Sequence, residues 1–347
     1  MLFILKALVK TQKGEGYLKI EEREIPQIAS DEVLIKVAYA GICGTDIHIK
    51  HDQYPYWPPV IIGHEFSGTV VETGSDVKSF SKGDRVVGEP HNLACGKCEL
   101  CRTGNIQLCL SKRSIGWGID GAFAEYLKMP EKLLHKVPEG VSLEVAALAE
   151  PCAIVAHQML ERGRIIPGET VVIMGMGPIA IIAAQMARIA GAGKIVMCGC
   201  TSDEEIRLDI VKKLNCCDLF INVQKEKTEE VLSDILENGG VDVVVEASGA
   251  VSAIKTSVRI LKKKGLFCAI GMTADAQIEF PWNEAMGKAI DLEFNMSSSY
   301  IGWKTALNLL KSGKLNTEIL ADIRPLEEFE KAFDDLENGR AVKILLK

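Results

Sequence analysis

The spacing of apolar residues along the chain changes near residue 151. From Glu32 to about Pro151, short apolar runs such as EVLIKVAYAG and FSGTVVETG are separated by glycine-containing breaks, and long amphipathic segments are few. This pattern predicts a mainly antiparallel β domain. After Pro151, apolar runs such as TVVIMG, GKIVMCG and VDVVVEAS alternate with amphipathic helical stretches. That alternation predicts a doubly wound parallel sheet, so the chain as a whole is expected to be α/β.

The longest apolar run, Val171 to Met197, has the length of a membrane span. However, Gly175 and Pro178 interrupt it, and Arg188 and Lys194 place charges within it. Its β-rich start and alanine-rich continuation predict a buried strand that leads into a helix. No membrane partner is therefore expected.

Composition and charge narrow the class of protein. The 347 residues are 47% hydrophobic and 25% charged, which is enough for two domains with large cores. A net charge of −7 leaves no broad basic surface, so small molecules rather than nucleic acid are the expected partners. The opening MLFILKALVK lacks a small-residue cleavage site and predicts a first strand, which favours a cytoplasmic location. In that reducing compartment, clustered cysteines predict metal binding rather than disulfides.

One cysteine cluster has the spacing C-x2-C-x2-C-x7-C within a polar segment that also contains Lys97 and Arg102. Short C-x2-C steps direct successive sulfurs inward, as a tetrahedral zinc requires, whereas buried free cysteines are more typical of apolar strands. A closed set of four sulfurs leaves no open coordination position, so this zinc is expected to be structural. Its predicted ligands are Cys95, Cys98, Cys101 and Cys109.

A second set of possible ligands is scattered along the chain. AGICGTDIHIK contains Cys43, IIGHEFSG contains His64 and Glu65, and LAEPCA contains Glu150. A catalytic zinc uses about three protein ligands of mixed type and keeps one position for water or substrate. Cys43, His64 and a carboxylate meet that requirement. Each residue alone also fits packing or capping, and their spacing does not show that they converge.

The segment VVIMGMGPIA predicts a dinucleotide site. Gly175 allows a tight turn after a strand, Gly177 lets the backbone approach a pyrophosphate, and the small Ala180 lets the helix pack on the sheet. Pro178 and Ile179 open the predicted helix and complete the phosphate-binding turn. The strand before the motif and the βαβ alternation after it support this interpretation.

The sequence leaves the choice between NAD and NADP open. Gly199 occupies the strand end where a carboxylate commonly binds the ribose 2′-hydroxyl. Thr201, Ser202 and Arg207 are candidates for binding a 2′-phosphate, although no arginine directly follows the glycine. Asp203 is the alternative candidate for the ribose.

Together, the segments GICGTDIH, GHE, CGKCELC, AEP and GMGPIA resemble those of medium-chain zinc-dependent dehydrogenases, and the resemblance covers essentially the whole chain. Glu150 followed by Pro151 is similar to the polyol branch, with its sorbitol, threonine, butanediol and sugar-alcohol-phosphate enzymes. The segment GCTSDEEIRLDIVKKL also resembles a subgroup that includes arabitol-phosphate-type dehydrogenases. The resemblance implies a GroES-like catalytic domain over 1–151, a Rossmann domain over 152–290, and a segment over 291–347 that returns to the catalytic domain. The active site is expected in the cleft between the domains.

The resemblance also implies roles at the second metal. Cys43, His64 and Glu65 would bind a catalytic zinc, Glu150 would be either a ligand or a contact of the zinc's water, and Asp46 would support the site. Two zinc ions per subunit are thus expected.

The implied reaction is hydride transfer between a secondary alcohol, such as a polyol, sugar alcohol or sugar-alcohol phosphate, and a nicotinamide. Thr45 would pass a proton toward solvent, and His48 or the cofactor ribose would carry it further, whereas turn chemistry around Gly44 is the structural alternative for Thr45 and His48. The family also places Ala247, Ser248 and Gly271 beside the cofactor.

Several residues have two interpretations. Three aromatic residues that flank the cleft in the family fit substrate contact and packing equally well. They are Tyr54, Trp57 and Trp117. Four cysteines in the nucleotide domain are interpreted as packing residues, because nothing nearby in sequence completes a metal set. They are Cys198, Cys200, Cys216 and Cys217.

Two rival functions use the same fold: a zinc-free quinone-oxidoreductase-like reductase and a dinucleotide-binding protein without turnover. The candidate ligands and relay residues argue against both. The family also implies a homodimer or homotetramer, formed by edge-to-edge pairing of the nucleotide sheet near DLEFNMSSS.

Overall fold

The structure is a computed structural model that describes residues 4–347; the first three residues of the predicted opening strand lie outside the described part. The chain forms two compact units. Unit 1 contains the described residues up to Pro151 together with Ala306–Gly313 and Ala321–Lys347, and unit 2 contains Cys152–Thr305 and Lys314–Leu320. Unit 2 thus extends to Thr305, past the residue 290 at which the sequence analysis ends the nucleotide domain.

The strands are numbered in chain order. They are β1 (Ile4–Lys10), β2 (Leu18–Glu24), β3 (Glu32–Gly41), β4 (Val60–Ile61), β5 (Glu65–Thr73), β6 (Arg85–Gly88), β7 (Tyr126–Pro130), β8 (Leu134–Lys136), β9 (Thr170–Met174), β10 (Lys194–Gly199), β11 (Leu219–Asn222), β12 (Val241–Glu246), β13 (Leu261–Ala269), β14 (Asp291–Phe294), β15 (Ala321–Arg324) and β16 (Lys343–Leu346).

The α-helices follow the same numbering. They are α1 (Gly44–Lys50), α2 (Glu99–Arg102), α3 (Leu143–Ala146), α4 (Ala149–Val155), α5 (Pro178–Ala190), α6 (Arg207–Leu214), α7 (Thr228–Val231), α8 (Ser233–Glu237), α9 (Val251–Ile260), α10 (Trp282–Lys288), α11 (Tyr300–Lys311) and α12 (Phe329–Glu337). A π-helix, Ala156–Arg162, continues from α4, and short 3₁₀ turns complete the helical content. None of the helices in the described range 4–347 combines the length and the apolarity that crossing a bilayer requires.

Unit 1 is built on two sheets. A three-stranded sheet has the order β2-β1-β4, and a seven-stranded sheet has the order β15-β16-β3-β5-β6-β8 with β7 also paired to β3. Its pairings are antiparallel except for that between β15 and β16. The mainly antiparallel β domain predicted from the sequence is therefore confirmed. Its core joins side chains from distant parts of the chain, among them Val33, Phe66, Phe333 and Leu346.

The pairing of β3 with β5 positions the candidate metal ligands. Gly41, the last residue of β3, lies opposite Glu65, the first residue of β5. A Cβ atom at Gly41 would overlap the Glu65 side chain, so glycine is required at this close approach. Cys43 follows β3 by two residues and His64 directly precedes β5, so the register brings both residues to the same end of this strand pair.

Unit 2 contains a six-stranded sheet of order β11-β10-β9-β12-β13-β14. Its pairings are parallel, which confirms the doubly wound sheet predicted from the alternating pattern. The apolar runs of β9, β10 and β12 are buried along nearly their whole length, as expected for strands covered on both faces. The chain moves outward from β9 in one direction through β10 and β11, and in the other through β12 to β14. This reversal creates a switch point at the carboxyl end of β9, where ligands bind in such sheets.

Candidate metal and cofactor sites

The four predicted structural cysteines are brought together. The Sγ atoms of Cys95, Cys98, Cys101 and Cys109 all lie within 4.8 Å of one another. The main-chain N–H of Cys95 donates to Cys109 Sγ (3.3 Å), and that of Cys98 donates to Cys95 Sγ (3.4 Å). These main-chain donors lower the pKa of the Cys95 thiol, and that of the Cys109 thiol to about 6. Thiolates in this set fit a zinc ion, because zinc binds the deprotonated form of cysteine.

The loop conformation explains how these cysteines converge. Gly96 and Gly104 adopt φ values of +69° and +82°, which favour glycine and turn the chain sharply between the cysteines. The short helix α2 begins after Cys98 and carries Cys101. These two glycines therefore form the turns that bring the cysteines together, as the spacing predicts.

Three of the four predicted members of the second set are also brought together. Ligand atoms of Cys43, His64 and Glu65 lie within 4.8 Å of one another. Glu150 is 5% exposed but does not belong to this set. Burial raises the pKa of Glu150 to about 7, with a further contribution from the Glu65 carboxylate. Among the described residues, the only sets of at least three such ligand residues are this one and the four cysteines.

The donor set fits a cation. Burial and the neighbouring Glu65 carboxylate raise the pKa of the Cys43 thiol well above its ordinary value, so a thiolate there needs added positive charge. The Nδ1 atom of His64 is buried without a hydrogen-bond partner. A zinc ion would supply the positive charge and accept a lone pair from the imidazole, and sulfur, nitrogen and oxygen donors in one set are typical of catalytic zinc.

Asp46 joins the two segments that carry these ligands. Its side chain is fully buried; Oδ2 accepts from the N–H of Cys43 (2.8 Å) and Oδ1 accepts from the N–H of Gly63 (3.2 Å). Oδ1 also lies 3.9 Å from His64 Nδ1. The carboxylate therefore caps α1 behind Cys43 and faces the imidazole, which is the supporting position that the resemblance implies.

A residue that the sequence analysis missed completes this cluster. The Lys343 ammonium lies 2.7 Å from Glu65 Oε1 and 2.5 Å from Oε2, and it also donates to the carbonyl of Ile42 (2.8 Å). Both side chains are almost completely buried. Burial lowers the pKa of Lys343, but Glu65, Cys43 and Asp46 together raise it overall. The signal in the sequence was a lysine enclosed by the apolar residues of AVKILL.

The two proposed relay residues lie on α1 next to the metal set. The Sγ atom of Cys43 is 3.7 Å from Thr45 Oγ1, and Nδ1 of His48 is 3.2 Å from Gln53 Oε1. Residues 45 and 48 are three positions apart on a helix and therefore occupy one face. The structure thus places a hydroxyl beside the ligand set and an imidazole further along the same face.

Aromatic side chains form a wall beside His64. The Trp117 ring meets the His64 ring edge-on, with centroids 4.9 Å apart, and the Tyr54 ring meets Trp117 at 5.6 Å. The main-chain N–H of Trp57 donates to the carbonyl of Trp117 (2.9 Å), while half of the Trp57 surface is exposed. Trp117 therefore contacts a candidate metal ligand, and the main chain of Trp57 is bonded to the segment that carries it.

The predicted dinucleotide residues lie at the carboxyl edge of the unit 2 sheet. Gly175 follows β9 with φ +114°, and Gly177 caps α5, whose first residues are Pro178 and Ile179. A Cβ at Gly177 would touch nothing within 4 Å, so the protein itself does not need glycine there. Open space above a helix N-terminus fits the approach of a pyrophosphate.

The other predicted cofactor residues follow neighbouring strands. Ala247 N–H donates to the carbonyl of Met174 (3.0 Å), so the turn after β12 lies beside Gly175. Ser248 is held by its N–H donation to the buried Glu246 carboxylate (2.9 Å), and Gly271 N–H donates to the Glu246 carbonyl (2.9 Å). Glu246, which the sequence analysis did not select, therefore organises the turns after β12 and β13.

The turn after β10 shows how the potential ribose-binding groups are engaged. At Gly199 a Cβ would overlap Met176 and approach the Asp203 carboxylate, so a carboxylate side chain does not fit there. Asp203 is buried; it accepts from the N–H of Cys200 (2.7 Å) and pairs with Arg207 (2.6 Å). Thr201 Oγ1 accepts from Asn222 (3.1 Å). The one nearby carboxylate suggested for the ribose is thus occupied within the protein.

The four cysteines interpreted as packing residues form no metal set in the described residues. Cys198 and Cys216 are buried, and Cys217 donates to the carbonyl of Leu219 (3.0 Å). Burial raises the pKa of both Cys198 and Cys216 to about 12, as for inert core thiols.

Comparison with known proteins identifies related chains over the full length. Residues 29–139 match the alcohol dehydrogenase GroES-like domain, and residues 178–312 match the zinc-binding dehydrogenase domain. A sorbitol dehydrogenase from Halalkalibacterium halodurans is 38% identical, with 99% of each chain covered. A D-arabitol-phosphate dehydrogenase from Enterococcus avium is 34% identical over 99% of this chain and 97% of its own. A zinc-binding dehydrogenase from Sinorhizobium meliloti, solved with NADP, superposes with a TM-score of 0.89 at 29% identity, with 99% of each chain covered.

Proposed function

Because this chain belongs to the zinc-binding alcohol dehydrogenase family, we propose that it oxidises a secondary hydroxyl of a polyol, a sugar alcohol or a sugar-alcohol phosphate, with transfer of hydride to NAD or NADP. Zinc-dependent oxidoreductase activity with a nicotinamide cofactor is shared with the relatives. The zinc-free reductase and the non-catalytic protein are not favoured, since a mixed metal-ligand set is present.

The observation that carries this proposal is the set of Cys43, His64 and Glu65, whose ligand atoms lie within 4.8 Å of one another. These residues would hold the catalytic zinc, which supplies a Lewis acid that lowers the pKa of an alcohol hydroxyl. Asp46 holds the start of α1 and faces the imidazole, with Oδ1 3.9 Å from its Nδ1 atom. Lys343 holds Glu65 and limits the negative charge of the set. Glu150 remains a second candidate ligand.

The proton that leaves the alcohol needs a path out of the site. Thr45 can accept a proton at its hydroxyl oxygen while it donates its own, and the hydroxyl lies 3.7 Å from Cys43 Sγ. His48 lies on the same face of α1, is partly exposed, and has ring nitrogens that can accept and donate a proton. We therefore assign the path Thr45 to His48 to solvent.

We propose two zinc ions per subunit, one for each ligand set. The test is zinc content by elemental analysis of protein purified without chelator, on the natural chain and on Cys43→Ser and Cys98→Ser. Cys43→Ser should retain one zinc, a cooperative thermal transition and NAD binding, but lose turnover. Cys98→Ser should lose the other zinc and mainly lower stability. Full turnover by Cys43→Ser would overturn the assignment of the catalytic metal.

Both NAD and NADP are proposed as cofactors, because Asp203 is occupied by Arg207 and by a main-chain N–H rather than available to a ribose. A free carboxylate at this position would repel a 2′-phosphate. Calorimetric titration should therefore give dissociation constants for the two cofactors within about tenfold of each other. A preference for NAD of a hundredfold or more would contradict this expectation.

A homodimer or homotetramer is proposed on the exposed edge of the unit 2 sheet. Among the described strands, β14 pairs only with β13, and the Phe294 side chain at its end is 71% exposed. Met296, Tyr300 and Ile301 follow it and are also exposed. Analytical ultracentrifugation should show an oligomer that Phe294→Lys weakens, because burying the introduced charge is costly. A monomeric natural chain would refute the proposal.

A further inference from the structure

Arg113 is a cation without an acidic partner near the catalytic set. It lies in the loop that also carries Trp117, and its main-chain N–H donates to the carbonyl of Asn92 (2.9 Å). Its side chain donates from Nη1 to the carbonyl of Lys112 (3.2 Å). No carboxylate of the described residues forms an ion pair with Arg113, whereas most arginines of the chain have such a partner.

The guanidinium of Arg113 is held in place by an aromatic ring. Its Cζ atom lies 4.6 Å from the centre of the Trp57 ring, which is within range of a cation–π contact. Both side chains are only partly buried. A guanidinium restrained by an aromatic ring loses less side-chain entropy when an anion binds, and the N–H groups other than the one bonded to the Lys112 carbonyl can donate to that anion.

The aromatic wall connects Arg113 to the candidate metal ligands. Trp117 contacts His64 edge-on at 4.9 Å, and the carbonyl of Trp117 accepts from the N–H of Trp57. Arg113 contacts the Trp57 ring, so a chain of contacts through Trp57 and Trp117 connects it to His64. A ligand that contacts both places must be extended, with its reacting carbon near His64 and an anionic group at its far end.

This separation distinguishes two kinds of anionic substrate. In a β-hydroxy amino acid, the carboxylate carbon is only two bonds from the carbinol carbon, so the anionic group stays close to the reacting carbon. In a phosphorylated sugar alcohol, several carbons separate an inner hydroxyl from the terminal phosphate. A phosphate monoester also presents several oxygens to the fork of arginine N–H donors.

We propose that Arg113, stacked on Trp57, binds the phosphate of an open-chain sugar-alcohol phosphate whose inner hydroxyl is oxidised at the metal set. This inference rests on the proposed function and specifies the substrate class. Arg113 acts as a specificity residue, because it touches the substrate far from the reacting atoms. Its contribution should appear mainly in KM rather than in kcat.

The test compares D-arabitol with D-arabitol phosphate, which differ only in the phosphate. For the natural chain, kcat/KM should be higher for the phosphorylated substrate. Arg113→Gln should lower kcat/KM for D-arabitol phosphate about 10- to 100-fold more than for D-arabitol, mainly through KM. Arg113→Lys keeps the positive charge but loses the paired N–H donors of the guanidinium. Its kcat/KM for D-arabitol phosphate should lie between those of the natural chain and Arg113→Gln. Arg102→Gln, an exposed arginine of the zinc loop, is the matched control and should leave the substrate ratio unchanged.

A binding measurement separates this inference from the proposed function. Calorimetric titration of the zinc- and NADH-loaded protein with D-arabitol phosphate should show weaker binding in Arg113→Gln by the same factor. Equal kcat/KM for both substrates in the natural chain, or an unchanged ratio in Arg113→Gln, would overturn the role of Arg113 while polyol oxidation stands. L-threonine as the better substrate would overturn the phosphate assignment, and failure of every alcohol with intact zinc content would overturn the proposed function itself.

Discussion

Replacing Lys343 tests how much its ion pair with Glu65 stabilises the protein. In Lys343→Met, the Glu65 carboxylate stays buried but loses a cation at 2.5–2.7 Å, and the carbonyl of Ile42 loses a donor at 2.8 Å. Methionine is similar in length to the aliphatic part of lysine, so little packing volume is lost. The expected destabilisation is therefore mainly electrostatic.

The magnitude follows from the burial of the pair. Lys343 is 3% exposed at its side chain and Glu65 1%, so the ion pair is shielded from water. Breaking a buried pair by removal of one partner typically costs about 3–5 kcal/mol. For a domain of roughly 150–250 residues, each 1 kcal/mol shifts Tm by about 2–4 °C, which predicts a decrease of about 6–20 °C in metal-free protein.

Zinc should reduce this effect. A divalent cation at the Cys43, His64 and Glu65 set would compensate the carboxylate charge that Lys343 leaves behind. We therefore expect the difference in Tm between Lys343→Met and the natural chain to be smaller with zinc than with chelator. The chelator also removes zinc from the four-cysteine set in both proteins. Comparing the Tm difference between variant and natural chain measured with zinc and the same difference measured with chelator therefore cancels the effect of the four-cysteine set.

Circular dichroism thermal scans of four proteins provide the assay. Lys6→Met is the matched control, because Lys6 pairs with Glu327 at 2.8 Å but both side chains are more than half exposed. Such a pair contributes little to stability, because water screens both charges. The double variant Lys343→Met with Glu65→Gln should recover part of the lost stability, since no unpaired charge remains. A Tm decrease for Lys343→Met no larger than that for Lys6→Met would refute the reasoning.

Three further predictions concern pH and metal. Burial raises the pKa of Glu150 to about 7, so its protonated form stabilises metal-free protein at low pH, and this contribution is lost as pH rises through about 7. Metal-free natural chain should therefore lose Tm relative to Glu150→Gln between about pH 5 and 8, and a constant difference would contradict this. Arg340 and Arg324 lower the pKa of Asp335, so its contribution is present above its ordinary pKa and lost as pH falls through the lowered pKa; Tm values of the natural chain and Asp335→Asn should converge as pH falls below the ordinary pKa of aspartate. Chelator should lower the Tm of Cys98→Ser less than that of the natural chain, because the variant has no structural zinc to lose, and equal decreases would argue against that site.

The features that the sequence predicted well depend on local spacing. The four cysteines lie within fifteen residues, so a few turns determine whether their sulfurs can meet. The turn from β9 through Gly175 to α5 is similarly local, and the strand–helix alternation after residue 151 specified the parallel sheet. Local patterns suffice here because the interacting groups are close in the chain.

The features that the sequence did not reveal depend on long-range pairing. Lys343 reaches Glu65 across 278 positions, and the pairing of β16 with β3 brings it there. The engagement of Asp203 by Arg207 is local, but whether its carboxylate stays free for a ribose depends on the direction of the side chain. The contact between Arg113 and Trp57 likewise requires two loops to meet, and neither loop has a sequence motif that predicts it.

The assembly of the catalytic set shows why a spacing of 43, 64 and 150 carried so little information. The register between Gly41 and Glu65 brings the end of β3 to the start of β5, and Asp46 then joins the two segments by hydrogen bonds to Cys43 and Gly63. One buried carboxylate thus fixes both the helix that begins after the cysteine and the loop that ends in His64. Burial raises the pKa of Asp46, so the hydrogen bonds from Cys43 and Gly63 and the nearby His64 are needed to favour its charged form. The ligand geometry therefore depends on a residue that binds no metal, and its chemistry could be inferred from the sequence only by resemblance.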